Sequence, residues 1–536
     1  MAAKWETIAA AKRKALADSI PKEWIIPENI KPGDDVLDVT AWAEDTDWFS
    51  DEEKKITSTP AVELLEKLKT GELSAEVVTK AFCRRAAAAQ QLTNCLTETM
   101  FDYAISTAKK LDAHLKSTGK PIGPLHGLPV SLKDNFNVKG LDSTVGFASL
   151  VNDPATYDAT LVDILRDAGA VFYVKTNIPT AMMIAESVNN VFGRTLNPRN
   201  RKLTSGGSSG GESALLAFGG SVLGVGTDIG GSLRIPAACT GIYTLRPSFG
   251  RFPTLKCRAG LAGQEAVNSV NGPMSQHFSA VKLYSKTVVD SEPWLQDPKC
   301  IPIPWREVPR KEKLKIGVIW DDGIVKPLPP VTRALKETVE KLKSAGHEVV
   351  EWDTRLHAPL IAVMGKMFVA DGGKSVEKLL QPTGEPFRPE MTQYQDAKEM
   401  GVYELWQLHL ERTSLLKEYL DQWNACEGLD ALLGPTTPYA SPEHGNFKYV
   451  GYTGVFNVLD YSSTSFPTGF YADKEVDTIE NPGQSALSDS CTETQKDYNP
   501  HVVHGAPISL QLTARKLEDE KVLMMTEVVL EALGIS

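Results

Sequence analysis

Two glycine pairs, each followed at once by a serine, constrain this chain more than any other feature. They form the segments Gly206–Ser208 and Gly230–Ser232. Paired glycines let a backbone adopt conformations closed to other residues and approach a ligand with its N–H groups. A serine hydroxyl beside exposed N–H donors supplies what acyl transfer requires, a nucleophile and a site for the oxyanion. The pattern therefore predicts a reaction centre built on two loops.

A lysine upstream completes a candidate catalytic set. Lys133 follows the apolar run Pro129–Leu132, which predicts a short strand. Lysine acts as a base only when it is neutral, and its ordinary pKa of about 10.4 leaves well under ~1 % neutral at pH 7. Burial lowers the pKa of a lysine by several units, and the apolar run is consistent with burial. Without the two serines, a solvent-exposed lysine at a strand end would be the more ordinary interpretation.

Three other interpretations of the glycine-rich run stay open. The G-x-S-x-G pattern of α/β-hydrolases fits Ser208 and again Ser209, although the preceding residues Asn200–Ser205 do not read as the core strand that such a nucleophile follows. That enzyme would also need a downstream acid and a histidine, and no histidine lies in a diagnostic setting. The segment Gly224–Gly230 misses the nucleotide-binding pattern G-x-G-x-x-G by one residue. Taken alone, each Gly-Gly-Ser is most often a tight turn.

Composition excludes several classes of protein. The net charge is −11 and no basic block stands out, so nucleic acid and anionic membranes are poor partners. Seven cysteines form no C-x-x-C pair and nine histidines are scattered, which favours reduced thiols in a cytoplasmic protein without a metal site. The most apolar window, residues 214–226, is too short to span a bilayer. We predict that it forms a buried helix followed by a strand.

Alternating strand and helix patterns predict an α/β fold. Lys315–Trp320 reads as a strand, Pro330–Ala345 as a helix with Gly346 as its C-cap, and Glu348–Trp352 as the next strand. Such alternation favours a mixed β-sheet core covered by α-helices. No linker divides the 536 residues. We predict an N-terminal helical arm over residues 1–60, one domain over residues 61–536, and a polar surface loop over residues 473–500.

Four segments together resemble the amidase signature family, and within it the fungal acetamidase-like enzymes. They are Gly123–Asp134, Gly206–Glu212, Gly226–Pro236 and Gly505–Leu512. The resemblance covers nearly the whole chain after residue 60 and extends into the arm. Small departures from the family's usual residues stand at Leu233, Arg246 and Thr513. None of these three positions is a catalytic residue of the family.

The resemblance implies a single amidase-signature domain and an amide hydrolase without a cofactor. It implies Ser232 as nucleophile, Ser208 as the bridging serine on a cis peptide, and Lys133 as base. The N–H groups expected to hold the oxyanion belong to Ile229, Gly230, Gly231 and Ser232. Met182 is expected to border the acyl pocket. The reaction would pass through an acyl-enzyme and give acid and ammonia or amine from small aliphatic or aryl amides such as acetamide.

Some alternatives remain within and beyond this family. The A subunit of an aminoacyl-tRNA amidotransferase is the main rival, and a nucleotide-binding or scaffold protein is the non-enzyme interpretation. Asp228 and Arg234 flank the second loop and are either a structural pair or directly catalytic. Aromatic residues in the range 451–469 are interpreted mostly as core. We also expect a homodimer as one possible assembly.

Overall fold

An 11-stranded β-sheet runs through the middle of the molecule in this computed structural model, which describes residues 4–535. Its strands are β1 (Leu96–Thr99), β2 (Pro129–Lys133), β3 (Val171–Thr176), β6 (Leu223–Asp228), β7 (Tyr243–Arg246), β8 (Val270–Ser275), β9 (Lys315–Val318), β10 (Glu348–Glu351), β11 (Ala431–Pro435), β12 (Ser463–Tyr471) and β13 (Pro507–Thr513). A separate two-stranded sheet pairs β4 (Val188–Asn189) with β5 (Gly193–Arg194).

Helices cover both faces of this sheet. They are α1 (Lys4–Asp18), α2 (Val39–Asp45), α3 (Asp51–Ser58), α4 (Ala61–Thr70), α5 (Ala75–Thr93), α6 (Phe101–Thr118), α7 (Thr160–Asp167), α8 (Gly210–Ala217), α9 (Arg234–Thr240), α10 (Phe278–Asp290), α11 (Pro329–Ser344), α12 (His357–Phe368), α13 (Lys374–Leu380), α14 (Thr392–Gln395), α15 (Val402–Ala425), α16 (Gly451–Leu459), α17 (Asp489–Lys496), α18 (Pro500–Val503) and α19 (Asp519–Leu533). Among residues 4–535, no helix is both long and apolar enough to cross a membrane.

The strands of the large sheet run in both directions. Their order is β1-β3-β2-β6-β8-β7-β12-β13-β11-β9-β10. Parallel pairs join β3 to β2, β2 to β6, β11 to β9 and β9 to β10, and the other neighbours are antiparallel. The predicted α/β fold with a mixed sheet covered by helices in one domain is confirmed.

Several local predictions are confirmed and one is partly wrong. The unit β9-α11-β10 forms with its parallel strands, and the apolar window over residues 214–226 contributes to α8 and β6. The segment 473–500 is not all loop, because it contains α17. Ser488 caps this helix by accepting a hydrogen bond from the Cys491 N–H at 3.1 Å, and the buried Cys491 side chain anchors it.

The N-terminal segment packs on the rest of the chain. Its apolar side chains Leu16, Val39 and Phe49 are buried in the same cluster as the sheet residues. Trp24 meets Phe101 of α6 edge to face at a ring distance of 5.2 Å. The helical character predicted for residues 1–60 agrees with α1 to α3 over the described range. The boundary at residue 60 stays a prediction.

The parallel strands β2 and β6 place Lys133 and Asp228 close to the same edge of the sheet. Lys133 is the last residue of β2, and Asp228 is the last residue of β6. Because parallel neighbours finish at the same edge of a sheet, both residues lie at one edge. The four aromatic residues noted in the range 451–469 are buried, in agreement with their interpretation as core: Tyr452, Phe456, Tyr461 and Phe466.

Candidate active site

Lys133 lies fully buried at the end of β2. Its Nζ donates hydrogen bonds to Ser208 Oγ at 2.7 Å and to Thr227 Oγ1 at 2.6 Å. Thr227 belongs to the neighbouring strand β6, and Ser208 precedes α8. The lysine is therefore fixed between a strand and the first serine loop, with no exposure to solvent.

Burial decides the protonation state of this lysine. It lowers the pKa of Lys133 from 10.5 to about 7, against the opposing effects of Asp228, Glu212 and Asp134. A charged ammonium loses its hydration when it is enclosed in protein, so the neutral form is favoured. Near neutral pH a large fraction of Lys133 is consequently neutral and able to accept a proton.

Ser208 follows a cis peptide bond between Gly207 and itself. Its side chain is 1 % exposed. A Cβ added at Gly207 would lie 2.6 Å from both the Glu186 nitrogen and the Ile184 oxygen, so only glycine fits at this position. The first glycine pair thus allows the backbone before Ser208 to press against a neighbouring segment.

Ser232 lies in the loop between β6 and α9. It is 9 % exposed, so the second serine is largely buried. Gly231 has φ +129°, and a Cβ there would lie 2.1 Å from Thr453 Oγ1. The Ser232 carbonyl accepts a hydrogen bond from the Ser209 N–H at 3.2 Å. The fold therefore brings the two Gly-Gly-Ser segments together.

A buried ion pair holds the loop that carries Ser232. Asp228 and Arg234 are both unexposed and are joined at 3.1 Å. Asp228 also accepts hydrogen bonds from the N–H groups of Gly231 at 2.8 Å and Leu233 at 3.2 Å. Burial acts to raise the pKa of Asp228, but Arg234 and its other partners lower it to about 2. These contacts favour the structural interpretation of the pair over a direct catalytic role.

The N–H groups of this loop are not equivalent. Gly231 donates to the Asp228 carboxylate. Ile229, Gly230 and Ser232 donate no N–H hydrogen bond to any group of residues 4–535. Three of the four N–H groups expected to hold an oxyanion are thus available, while the fourth is used to shape the loop.

Two cavities meet at Ser232. The smaller one, of about 190 Å³, is lined by Ser208, Thr227, Ser232 and polar side chains such as Asn135 and Asn271. Ser208 faces this cavity and does not line the larger one. The position of Ser208 distinguishes the smaller cavity, whose wall also contains apolar residues such as Leu261 and Val270, from its neighbour.

The larger cavity, of about 470 Å³, has mostly apolar walls. They come from Ile361, Met364 and Phe368 of α12, together with Phe447 and Val450. An apolar cavity with a few polar groups is the usual form of a small-molecule site.

Met182 borders both cavities. Its φ is +59° and that of Ala181 is +57°, a left-handed conformation that costs a non-glycine residue about 1–3 kcal/mol. Met183 lines both cavities as well, and Glu186 lines the larger one. The expected position of Met182 beside the reaction centre is compatible with this arrangement.

The sequence alone does not predict that two residues, Thr227 and Glu212, lie near Lys133. Thr227 is the second partner of Lys133, but nothing in the sequence gives the alignment of β2 with β6. Glu212 is a charged residue in α8, whose residues Gly210–Ala217 are all buried. An acidic residue in a helix of otherwise small or apolar residues is the sequence signal that indicates Glu212, because a buried carboxylate needs specific partners.

The surroundings of the serines give little support to a histidine-based hydrolase, a nucleotide-binding site or a metal site. No histidine among residues 4–535 hydrogen-bonds to Ser208, Ser209 or Ser232. Gly224 and Gly226 lie inside strand β6, so they form no phosphate-binding turn. Over the same described residues, no group of three or more His, Cys, Asp and Glu side chains is arranged to hold a metal ion.

Comparison with known proteins gives a consistent result. The amidase family matches residues 77–523. The chain is 42 % identical to an acetamidase of Emericella nidulans, covering 99 % of this chain and 98 % of that protein, and 40 % identical to an acetamidase of Aspergillus oryzae, covering 99 % of each. A solved fatty acid amide hydrolase superposes with a TM-score of 0.94 at 35 % identity, covering 99 % of this chain and 95 % of the other.

These matches extend over nearly the full chain and agree with the fold. The chain therefore belongs to the amidase family, in its amidase-signature form, and is an amide hydrolase related to fungal acetamidases.

Proposed function

We propose that Ser232, Ser208 and Lys133 form the catalytic triad of this amidase. The observation that carries the proposal is the 2.7 Å hydrogen bond between Lys133 Nζ and Ser208 Oγ, made by a fully buried lysine. Ser208 and Ser232 line one cavity, and their loops are joined through the Ser209 N–H. A base, a proton carrier and a nucleophile are thus close together.

The first half-reaction would acylate Ser232. Neutral Lys133 accepts a proton from Ser208, and Ser208 in turn accepts the proton of Ser232. The Ser232 oxygen attacks the amide carbon, and the oxyanion is stabilised by N–H groups of Ile229, Gly230 and Ser232. Ser208 then protonates the leaving nitrogen, because an unprotonated amide nitrogen leaves poorly, and Lys133 returns its proton to Ser208. The C–N bond breaks, and the acyl-enzyme again holds a neutral Lys133.

The second half-reaction would release the acid. Water enters where the amine has left, and the same relay removes one of its protons. The resulting hydroxide attacks the acyl carbon, the bond to Ser232 breaks, and the proton on Lys133 returns through Ser208 to the Ser232 oxygen. The enzyme regains its starting protonation state, so no cofactor is required.

The α/β-hydrolase alternative has weaker support. It needs a histidine beside the nucleophile and a core strand leading into it. Ser208 receives its hydrogen bond from Lys133, and the segment before it forms only isolated bridges at Leu203 and Thr204. The lysine-based mechanism accounts for this arrangement without a histidine.

The proposed substrates are small aliphatic or aryl amides such as acetamide. Two full-length relatives carry the name acetamidase, which favours short acyl groups. The larger cavity, with Met364 and Phe368 in its wall, has more room than acetamide fills and supports aryl or longer aliphatic acids as well. Because Ser208 lines the smaller cavity and not the larger one, we assign the leaving amine to the smaller cavity.

Labelling with a fluorophosphonate followed by peptide mapping tests the nucleophile. We expect the adduct on Ser232, and an adduct on Ser208 or Ser209 would instead support the α/β-hydrolase mechanism. Turnover of a panel of acetamide, longer aliphatic amides and aryl amides would rank the substrates. Ammonia release by the purified chain without ATP or partner subunits would exclude the amidotransferase alternative.

Three further statements about the protein remain predictions. They are the cytoplasmic location, the homodimer and the domain boundary at residue 60. Light scattering of the purified chain would determine its oligomeric state.

A further inference from the structure

Glu212 is a fully buried carboxylate next to the proposed reaction centre. It lies in the first turn of α8, four residues after Ser208 in the chain. Its two oxygens accept hydrogen bonds from different strands, from Ser131 of β2 and from Thr176 Oγ1 of β3 at 2.7 Å. Both donors are neutral hydroxyls. The fold thus buries this acid against hydroxyl donors, and no cation among residues 4–535 forms a hydrogen bond or a close ion pair with it.

The sheet is shaped to receive this carboxylate. Ser131 is paired with Gly224 of β6, where an added Cβ would lie 2.0 Å from Glu212 Oε1. Glycine at this position leaves room for the acid above the strand. Ser131 and Lys133 are two residues apart on β2 and therefore share one face of the sheet, and Thr176 is paired with Lys133 across β2 and β3. The receptor for Glu212 is built from the same strands that hold the lysine.

Three carboxylates act on the charge of Lys133, and two of them have other partners. Asp228, at the end of β6, is paired with Arg234. Asp134, next to the lysine in the chain, accepts a hydrogen bond from the Val145 N–H at 2.8 Å and also acts on the charge of Lys175.

Glu212 is the third of these carboxylates. Lys133 is the one cation that acts on its charge among residues 4–535. Its other titratable neighbours are Cys95 and Tyr173, and burial raises the pKa of each of them, so both are neutral near pH 7.

We propose that Glu212 is a positioning residue whose buried carboxylate serves as the counter-charge for Lys133 when the lysine is protonated. This inference rests on the proposed role of Lys133 as the base. During acylation, a proton passes from Ser232 to Ser208 and from Ser208 to the lysine, and a positive charge appears on a fully buried side chain. A carboxylate held at fixed distance stabilises that charge far more than it would in solvent.

The titration of the acid fits this role. Burial raises the pKa of Glu212 to about 7, the same range in which Lys133 titrates. Two buried groups of opposite charge that titrate together bind and release protons as a pair. A protonated Lys133 therefore favours the ionised form of Glu212, and an ionised Glu212 favours the protonated lysine.

The variant Glu212→Gln keeps the shape but removes the charge, and its Nε2 donates to one of the two hydroxyls that now donate to the carboxylate. Loss of a nearby negative charge lowers the pKa of Lys133, so the acid limb of the kcat/KM profile should move to lower pH by about one to two units. A less basic lysine is also a weaker base, so the plateau kcat should fall about ten-fold with little change in KM. The rate of fluorophosphonate labelling of Ser232 should show the same shift.

Glu385→Gln is the matched control. Glu385 is also a buried glutamate, held by the Ala148 N–H at 2.8 Å and by Asn190 Nδ2 at 3.1 Å, and it lines neither cavity at Ser232. Its removal should leave the acid limb unchanged. An unshifted acid limb in folded Glu212→Gln would overturn the inference. So would an equal shift in both variants.

If Glu212→Gln does not fold, the variant Thr176→Val tests whether the Glu212 carboxylate stabilises protonated Lys133. Valine has the shape of threonine without the hydroxyl, so the Glu212 carboxylate loses a donor, becomes harder to ionise and stabilises Lys133 less. The acid limb should then shift in the same direction by a smaller amount, and an unchanged limb would overturn the inference. If Lys133 is not the base, the outcome is different: Lys133→Arg would then retain activity, both with Glu212 present and in the Glu212→Gln variant.

Discussion

Ser208 and Ser232 follow the same Gly-Gly dipeptide but lie in different surroundings. The Ser208 side chain is held by a hydrogen bond from Lys133, and its loop is pressed against a neighbouring segment. At Ser232 the backbone is held instead, because Asp228 accepts hydrogen bonds from the N–H groups of Gly231 and Leu233. The Ser232 side chain opens toward both cavities.

The comparison teaches that, in the proposed mechanism, the ionisable group beside each loop sets the role of each serine, and the shared tripeptide does not. A neutral lysine beside a hydroxyl makes a proton carrier. The ionised Asp228 carboxylate accepts hydrogen bonds from backbone N–H groups beside Ser232 and leaves the hydroxyl of this proposed nucleophile free of that contact. Because the two roles differ, substitutions in the two loops should have effects of different size and kind.

Ser232→Ala should have the largest effect. Without the nucleophile, kcat should fall by about 10⁶-fold, as in serine hydrolases that lose their nucleophile. The stability should change by less than about 0.5 kcal/mol, since Ser232 lines a cavity and its side chain fills little core space. Turnover assays and thermal unfolding check both statements. Substantial residual turnover would reverse the roles assigned to the two serines.

Lys133→Arg should have the next largest effect. Arginine keeps a positive charge but cannot lose its proton, so kcat should fall by about 10³-fold or more. In the unaltered enzyme burial lowers the pKa of Lys133 to about 7. The neutral base therefore increases as pH rises, and activity should climb from acid to a plateau above this value.

The control for this prediction is Lys133→Ala, which should lose a similar amount of activity and its acid limb. If Lys133→Arg retained most of its activity with an unchanged pH profile, Lys133 would be a charged orienting group and another base would be needed. Measurement of kcat/KM across pH separates the two outcomes.

Ser208→Ala should cost less than either change, about 10²-fold in kcat on amides, the lower end of the usual effect of losing a proton-transfer group. An ester with a good leaving group needs no protonation of that group, so its hydrolysis should fall less. The ratio of amide to ester turnover measures this difference. Equal losses on the two substrates would show that Ser208 acts only in activating Ser232 or in folding.

Much of the fold can be predicted from the sequence because its signals are local. The unit β9-α11-β10 follows from hydrophobic periodicity and from Gly346, which has φ +86° at the end of its helix. The apolar run before Lys133 similarly indicates a buried strand. The helix α17 is missed because its sequence, Asp489–Lys496, is mostly polar and is fixed by Ser488 and the burial of Cys491.

The site is less predictable because its partners come from distant parts of the chain. The hydrogen bond from Lys133 to Thr227 depends on the alignment of β2 with β6. The use of the Gly231 N–H by Asp228 depends on the turn of the loop, which glycine pairs permit but do not determine. Family resemblance supplies the candidate roles, whereas these contacts emerge from the three-dimensional packing.

Alanine substitution of the glycines should have the smallest effects and sharpens the comparison of the two loops. An added Cβ would lie 2.7 Å from Pro236 Cα at Gly206 and 2.6 Å from backbone atoms at Gly207, so the Ser208 loop has no room. In the Ser232 loop, Gly231 is equally restricted, but Gly230 would meet only Phe368 at an ordinary 3.5 Å.

Gly231→Ala should therefore lower the free energy of unfolding by about 1–3 kcal/mol, through the clash with Thr453 and the positive φ. Gly230→Ala should change it by less than about 0.5 kcal/mol, since no strain is introduced. Denaturant unfolding of the pair measures the difference. Equal losses in the two variants would mean that the Ser232 loop is as tightly packed as the Ser208 loop, and the two loops would then differ only in the charge beside them.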